Sequence, residues 1–593
     1  MMAFKRNNLD KATSPYLQQH KENPIYWQEW SKEVLEYAKK NSKIIFVSVG
    51  YAACHWCHVM ANEAFSNKEI ADFLNKHFVS IKVDKEQRPD IDNYMMAFIQ
   101  ETQGQGGWPL NIFLTPDLKP FLAVTYVPIE PRFSLPGFIY LLRNVKGTYD
   151  KHQREIREYL PIFHKGEDSE EQHIIQAIKN NFINNGFGFG AMFPPHNTLL
   201  FLLSYYEKNK GAGIKDILEK ILDAMAMRGL HDHLQGGFYR YCVDGSWTIP
   251  HFEKMLYDQA MLLWVYSIAY KVFKKPGYKI ILEKIIECLE DTYYGGLYYT
   301  AHDADTDHQE GGTYLWDKEE LQKQLTKSEY EKFTELYELE KNFEGRIHLI
   351  KKKNAFLPEI EKKLLQIRKK RKQPFVDKKF VTSWNALIGV GFMIAYRSLD
   401  NQVLKAKAIL LFKKILENHY RQGVVYHSSY QEKLQKGEFL EDYATMLLYA
   451  TYIYEEAGEY KEIIETLYNK LGDFYDQYWI ESRTEDFVKT PAQAFDHPTP
   501  SSASLAEMAQ LRAAIILGKE YAPTKYKQPL QHDFFNLMVF MKNGNWHLLH
   551  TPYKIEWKHL PSNCMQIRDT KIQDCYKQKC LGFKHISDLL ASL

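Results

Sequence analysis

The first strong signal along the chain is IIFVSV at 44–49, an apolar, β-branched run that predicts a buried strand. GYAACHWCHVMANEAF follows at 50–65. Its tight turn and helix start put Cys54 and Cys57, three apart, on one face of a first helical turn. In SNKEIADFLNKHF (66–78), Ile70, Phe73, Leu74 and Phe78 keep the 3.6-residue period behind a Ser66–Glu69 capping box, predicting a second helix. VSIKVD (79–84) alternates Val79, Ile81 and Val83 and predicts a second strand. RPDIDNYMMAFIQETQ (88–103) opens a helix near Pro89, with Ile91, Tyr94, Met95, Phe98 and Thr102 on one face. PLNIFLTPDLKPFLAVTYV (109–127) reads as a hairpin around a Pro-Asp turn, and a helical stretch near 137–149 closes the unit. The order is β-α-β-α-β-β-α.

The pattern then changes. HKGEDSEEQ (164–172) is charged and lacks apolar periodicity, so a linker is expected over 164–175 between a first domain at 1–163 and a second at 176–593. Beyond it helical periods dominate, as in NTLLFLLSYYEKN, DQAMLLWVYSIAYKVF, LKAKAILLFKKILENHY, YATMLLYATYIYEEAG and SLAEMAQLRAAIIL. Between them recur short Gly-Gly-aromatic pieces, QGGFYRY (235–241), YGGLYYT (294–300) and EGGTYLW (310–316). A helix hairpin followed by such a loop, repeated, predicts an all-α (α/α)₆ toroid with its loops gathered at one mouth. An open solenoid accounts for the helices but not for the recurring loops.

Composition narrows the function classes. At 593 residues the chain holds two or more folding units. Lys+Arg of 76 against Asp+Glu of 74 argues against nucleic acid or an acidic membrane as partner. No run of about 18 uncharged apolar residues is present, so no membrane span is expected. The N-terminal MMAFKRNNLDKATSPYLQQHKENP lacks an apolar stretch of signal-peptide length, so a reducing cytoplasm is the expected compartment. Seven cysteines there are not a disulfide framework. Cys242, Cys288 and Cys564 read as buried small apolar residues, and Cys575 and Cys580 as a surface thiol pair.

CHWCH (54–58) fits three chemistries: covalent haem c, a zinc site and a redox dithiol. Haem attachment normally follows export. Zinc needs about four ligands, and only Cys54, Cys57 and His55 or His58 are local. The element order above is that of a thioredoxin fold, with the dithiol at the end of its first strand. In GGWPLNIFL, Pro109 occupies the place of that fold's cis-proline, opposite the dithiol. A thiolate at a helix start is stabilised by free amides and the helix dipole, which makes Cys54 the nucleophile and Cys57 the resolving thiol. His55, between them, tunes their potential. No cofactor and no metal are expected.

Polar residues cluster in the loops of the second unit. DGSWTIPHFEKMLYD holds His251, Glu253 and Asp258. YTAHDADTDHQEGG holds Asp303, Asp305 and Glu310. TSWNAL holds Trp384 and Asn385, and GEFLEDYATM holds Glu441 and Asp442. A sugar hydrolase needs two carboxylates across a cleft, and an epimerase needs an acid/base pair, often with His. These residues are the candidate lining of a toroid cavity. HDADTDHQE lacks EF-hand spacing, so a cation loop is set aside.

SPYLQQHKENPIYWQEW, GYAACHWCHVM, FVSIKVDKEQRPDID, GQGGWPLNIFLTPDLKPF, PHFEKMLYDQA (250–260), NFEG (342–345) and DKKFVTSWNAL (377–387) together resemble a thioredoxin-domain-containing family. That family includes spermatogenesis-associated mammalian members and many bacterial ones. The resemblance implies a thioredoxin-like domain followed by an (α/α)₆ toroid similar to N-acylglucosamine 2-epimerases and six-hairpin glycosidases. The chain departs from the family pattern at Ala123–Pro128 and Ala191–Pro194 and through its C-terminal third. The leading functional expectation is thiol–disulfide exchange with a redox partner protein, the toroid holding a saccharide-like ligand. The alternative is a carbohydrate-active enzyme, a sugar epimerase, isomerase or glycoside hydrolase, with a regulatory thioredoxin-like domain. A third is a scaffold without turnover.

Overall fold

The computed structural model describes residues 4–132, 135–161, 171–183, 185–187, 190–493, 495–520, 546–576 and 579–593. Its N-terminal sheet has four strands, β1 (Ile44–Gly50), β2 (Phe78–Asp84), β3 (Leu110–Leu114) and β4 (Pro120–Val124), in the order β2-β1-β3-β4. β1 runs parallel to β2 and antiparallel to β3, and β3 and β4 form the expected hairpin. Helices His55–Asn62 and Lys68–His77 connect β1 to β2, and Pro89–Gln103 connects β2 to β3. This is the thioredoxin topology, and it places the turn after β1 at the edge of the domain.

Two local details differ from the pattern reading. Helix Lys68–His77 is capped by Asn67, whose side chain accepts from Ile70 N–H, while Ser66 bonds back to Ala61 O. The alternation in β2 implies one wet face, yet the whole strand is buried. Lys82 is accommodated there by donating to Ser48 Oγ at 2.9 Å and by lying 4.5 Å over the Phe65 ring.

The second unit is a helical toroid. Its inner helices are apolar all round, which is the mark of burial on every side. Leu256–Phe273 is buried from Leu256 to Ala269, and Thr382–Leu399 from Thr382 to Arg397. The first packs on the second, the second on Leu440–Ala457, and that on Ser502–Leu517, while His196–Asn209 packs against Leu256–Phe273. Outer helices, Ala212–Met227, Pro276–Cys288, Gln402–His419 and Lys461–Gly472, back four of these. The expected linker at 164–175 falls mostly outside the described residues, and a helix already runs Glu171–Asn181. A four-stranded sheet, His547–Thr551, Cys564–Arg568, Gln573–Tyr576 and Lys579–Gly582, was not foreseen in this helical region. Cys575 and Cys580 face each other across its last two strands and are disulfide-bonded. Cys242, Cys288 and Cys564 are free and buried, as expected. Among the described residues no helix is long and apolar enough to cross a membrane.

Candidate functional site

β1 delivers the chain to Gly50, and the turn Tyr51–Ala53 leads to Cys54, the N-cap of helix His55–Asn62. Gly50 is required here, because a Cβ at this position would meet Cys57 Sγ at 2.8 Å and Tyr16 Oη at 2.3 Å. Cys54 and Cys57 are disulfide-bonded, with Cα atoms 5.2 Å apart. The Cys57 N–H points at Cys54 Sγ from 3.2 Å. The Trp108–Pro109 peptide is cis, as the fold reading anticipates.

What faces this dithiol comes from the toroid. His55 Nδ1 donates to Asp305 Oδ1 at 2.7 Å, and its Nε2 lies 3.9 Å from Glu310. His58 Nε2 bonds both oxygens of Asp303, at 2.9 and 3.1 Å. His251 Nδ1 pairs with Glu310 at 2.5 Å. Burial pulls both His55 and His58 down. Asp305 and Glu310 beside His55, and Asp303 beside His58, outweigh it and raise both above the ordinary imidazole value. The two rings are thus biased toward the cation next to the sulfurs. Cys54 is only 4% exposed and Cys57 1%.

A second set of contacts reaches Tyr51, just ahead of the dithiol. Tyr51 Oη donates to Glu253 at 3.0 Å, Arg240 pairs with the same carboxylate at 3.0 Å, and Arg240 also bonds Tyr51 Oη. Arg240 and Lys85 stack on Trp108 at 5.2 and 4.2 Å, and Trp108 Nε1 donates to Asp92 at 2.8 Å. Deeper in the junction the fully buried Lys379 of the toroid bonds Asp84, Glu86 and Asp377 at 2.7, 2.8 and 2.9 Å. His427 donates from Nδ1 to Asp442 at 2.7 Å and from Nε2 to Glu86 O at 2.8 Å. Burial lowers His427, but Asp442 and Glu441 push it up to about 9. His427, Glu441 and Asp442 bring ligand atoms within 4.8 Å of one another. Both His427 nitrogens are already engaged, so the trio is built as a hydrogen-bonded cation rather than an open metal site.

Several candidate residues therefore sit elsewhere than a toroid cavity. Asp303, Asp305 and Glu310 lie against the dithiol helix, because the hairpin that carries the last two packs on the start of helix His55–Asn62 and the carboxylates face the histidines there, while His251, on the separate strand Pro250–His251, pairs with Glu310. Glu253 is tied to Tyr51 and Arg240. Asn385 is structural, its amide and oxygen both spent on the backbone of Tyr298 and Val381. Asp442 is consumed by His427, and Asp258 is buried 3.7 Å from His196. Of the set, Trp384 and Glu441 line a junction cavity of about 400 Å³. Its other walls include Arg240, Tyr257 and Glu481, which carried no sequence signal, since nothing near them distinguishes a wall from a core.

The thioredoxin-type family Thioredox_DsbH, described as "Protein of unknown function, DUF255", matches residues 6–164. An uncharacterized protein of Caenorhabditis elegans, B0495.5, is 31% identical over 89% of this chain and 83% of its own. Spermatogenesis-associated protein 20 of Rattus norvegicus is 31% identical over 82% of this chain and 71% of its own. Among solved structures, a DsbH oxidoreductase aligns at 22% identity and TM-score 0.17 over 21% of this chain and 85% of that one. A D-mannose isomerase aligns at 12% identity and TM-score 0.40 over 59% of this chain and 81% of that one. With identity sustained over most of both chains, the protein belongs to the family of spermatogenesis-associated protein 20.

Proposed function

We propose that the protein is a thiol–disulfide oxidoreductase acting through Cys54 and Cys57. The observation that carries this reading is Cys54 at the N-cap of a helix, with the Cys57 amide 3.2 Å from its sulfur and two histidines held toward the cation beside it. Each of these favours a thiolate over a thiol. In the reducing direction the Cys54 thiolate attacks a substrate disulfide. One substrate thiolate leaves, and Cys54 is joined to the other substrate sulfur. The Cys57 thiolate then attacks Cys54 Sγ and releases the second substrate thiolate, leaving the Cys54–Cys57 disulfide. Two electrons pass to the substrate, and the reverse sequence oxidises a dithiol. Because Cys54 is 4% exposed, the loop carrying Asp303, Asp305 and Glu310 has to yield before a protein disulfide reaches it.

The test is reduction of insulin disulfides with dithiothreitol as the electron source. Cys54→Ser abolishes turnover, and Cys57→Ser accumulates a mixed disulfide visible by mass spectrometry. A Cys54→Ser protein as active as the wild type removes the proposal.

For the toroid the reading is a small saccharide-like ligand, supported by the polar cavity of about 400 Å³ at the domain junction.

A further inference from the structure

Elsewhere in the domain junction buried charges meet opposite charges, as around Lys379. The cavity is different. From the toroid its walls include Arg240, Tyr257, Trp384, Glu441 and Glu481, and from the thioredoxin domain Lys85, Glu86, Asp92 and Trp108. Tyr257 Oη has no hydrogen-bond partner although the residue is 2% exposed, and neither has Arg240 Nε at 7%. Behind them, Asp258 Oδ2 and His196 Nε2 are likewise unpartnered. Buried polar atoms left unpaired are destabilising, and native folds rarely keep several side by side without use.

The lining selects a ligand class. Glu441 and Glu481 oppose an anion, and Arg240 and Lys85 oppose a cation. Unpartnered donors and acceptors in one place match hydroxyls, each of which does both. The indole of Trp384 adds a flat apolar wall on which the C–H face of a polyol rests.

The two carboxyls are set for proton transfer. Glu441 lies in the first turn of helix Leu440–Ala457, 3.9 Å from the Asp442-bound His427. Glu481 accepts from Ser502 Oγ at 2.8 Å and Gln493 N–H at 3.2 Å. Burial, with the Asp442 charge added, pushes Glu441 up to about 8, and burial pushes Glu481 up to about 7. Near neutral pH such a pair supplies one acid and one base.

We propose that this cavity is a second catalytic site, in which Glu441 and Glu481 move a proton on a small polyhydroxylated carbonyl compound resting on Trp384. The inference depends on the saccharide-like ligand proposed above. The ionised carboxylate takes a proton from the carbon beside the carbonyl. That C–H electron pair becomes the C=C bond of an enediol, and the carbonyl π pair moves to oxygen, which takes the proton of the other carboxyl. The reverse steps return a proton to either carbon. The product is an isomer of the substrate, so no oxidant, reductant or water is consumed.

The experiment uses the full-length protein in D₂O with D-glucose, D-mannose and D-fructose, followed by proton NMR. A carbon-bound proton removed in this way is replaced by deuterium, so the C2–H signal of an aldose fades as isomer signals grow. Glu441→Gln and Glu481→Gln are expected to slow exchange at least about 100-fold, the usual share of one acid or base. Saturation-transfer binding and the circular-dichroism melt of these variants are expected to stay close to wild type. Saturation transfer to none of the sugars overturns the ligand reading and this inference with it. Binding without exchange in the wild type, or exchange unchanged in both variants, overturns the inference alone.

Discussion

Asp303→Asn isolates the charge that holds the cover over the dithiol. Asp303 and His58 side chains are 7% and 19% exposed and make contacts of 2.9 and 3.1 Å. Asparagine keeps the size and one acceptor oxygen, so the Asp305 N–H that donates to Oδ1 at 3.1 Å stays bonded. The charge is lost, and with it the acceptor at Oδ2 that faces His58 Nε2 at 2.9 Å, which becomes an amide donor. At 2.9 Å and an effective dielectric of 20 the gross attraction is about 6 kcal/mol. Desolvation cancels much of that, and a hydrogen bond to a charged group is worth about 1.5–3 kcal/mol net. At 1.36 kcal/mol per factor of ten, the loop opens roughly 10- to 150-fold more often. Amide hydrogen exchange over 301–312 reads this directly, since Asp303 N–H donates to Phe375 O and Gly311 N–H to Ala304 O. At pH 6 the corrected exchange of this segment accelerates by that factor, while helix Leu440–Ala457 is unchanged. His58 is raised above its ordinary value in the folded protein. Its stabilising contribution is therefore full below about pH 6.5 and fades as pH climbs through the raised value. Wild type and variant should converge by pH 9. Equal exchange at pH 6, or a gap undiminished at pH 9, refutes the charge-held cover.

Other outcomes follow from the same geometry. Lys379→Met strands Asp84, Glu86 and Asp377 in the junction, and urea unfolding monitored by tryptophan fluorescence should show a loss of about 3–5 kcal/mol at pH 8. Burial has already raised Glu86 to about 7 and pushes Asp377 up, so these two gain protons on folding and the deficit shrinks as pH falls toward 5. Gly50→Ala forces a methyl against Tyr16 and Cys57 and should cost about 1–3 kcal/mol in the same assay. Cys580→Ser removes a disulfide on an edge hairpin remote in sequence from the dithiol, and insulin reduction should proceed at the wild-type rate.

The dithiol was legible because everything that builds it is local. An apolar run of strand length, a turn, and two cysteines three apart at a helix start lie within twenty residues. The alternation of β2 misled about its second face, because Lys82 and Ser80 are buried by helices that come from elsewhere in the chain. The acidic loop at 303–310 reads from its composition as a candidate cavity lining, but where it packs is not in its sequence. A loop's sequence carries its charge, while the surface it folds onto is set by the packing of elements hundreds of positions away in the chain.

By itself, then, the amino-acid order determined the two-unit architecture and the dithiol at a helix start, since periodicity and helix-start chemistry act over a few residues. Only the tertiary structure decided that His55 and His58 meet Asp305 and Asp303, some 250 positions away, and that Arg240, Tyr257, Glu441 and Glu481 converge on one cavity. Such pairings depend on which inner helix packs beside which, and apolar helices buried on every side carry little local mark of their neighbours.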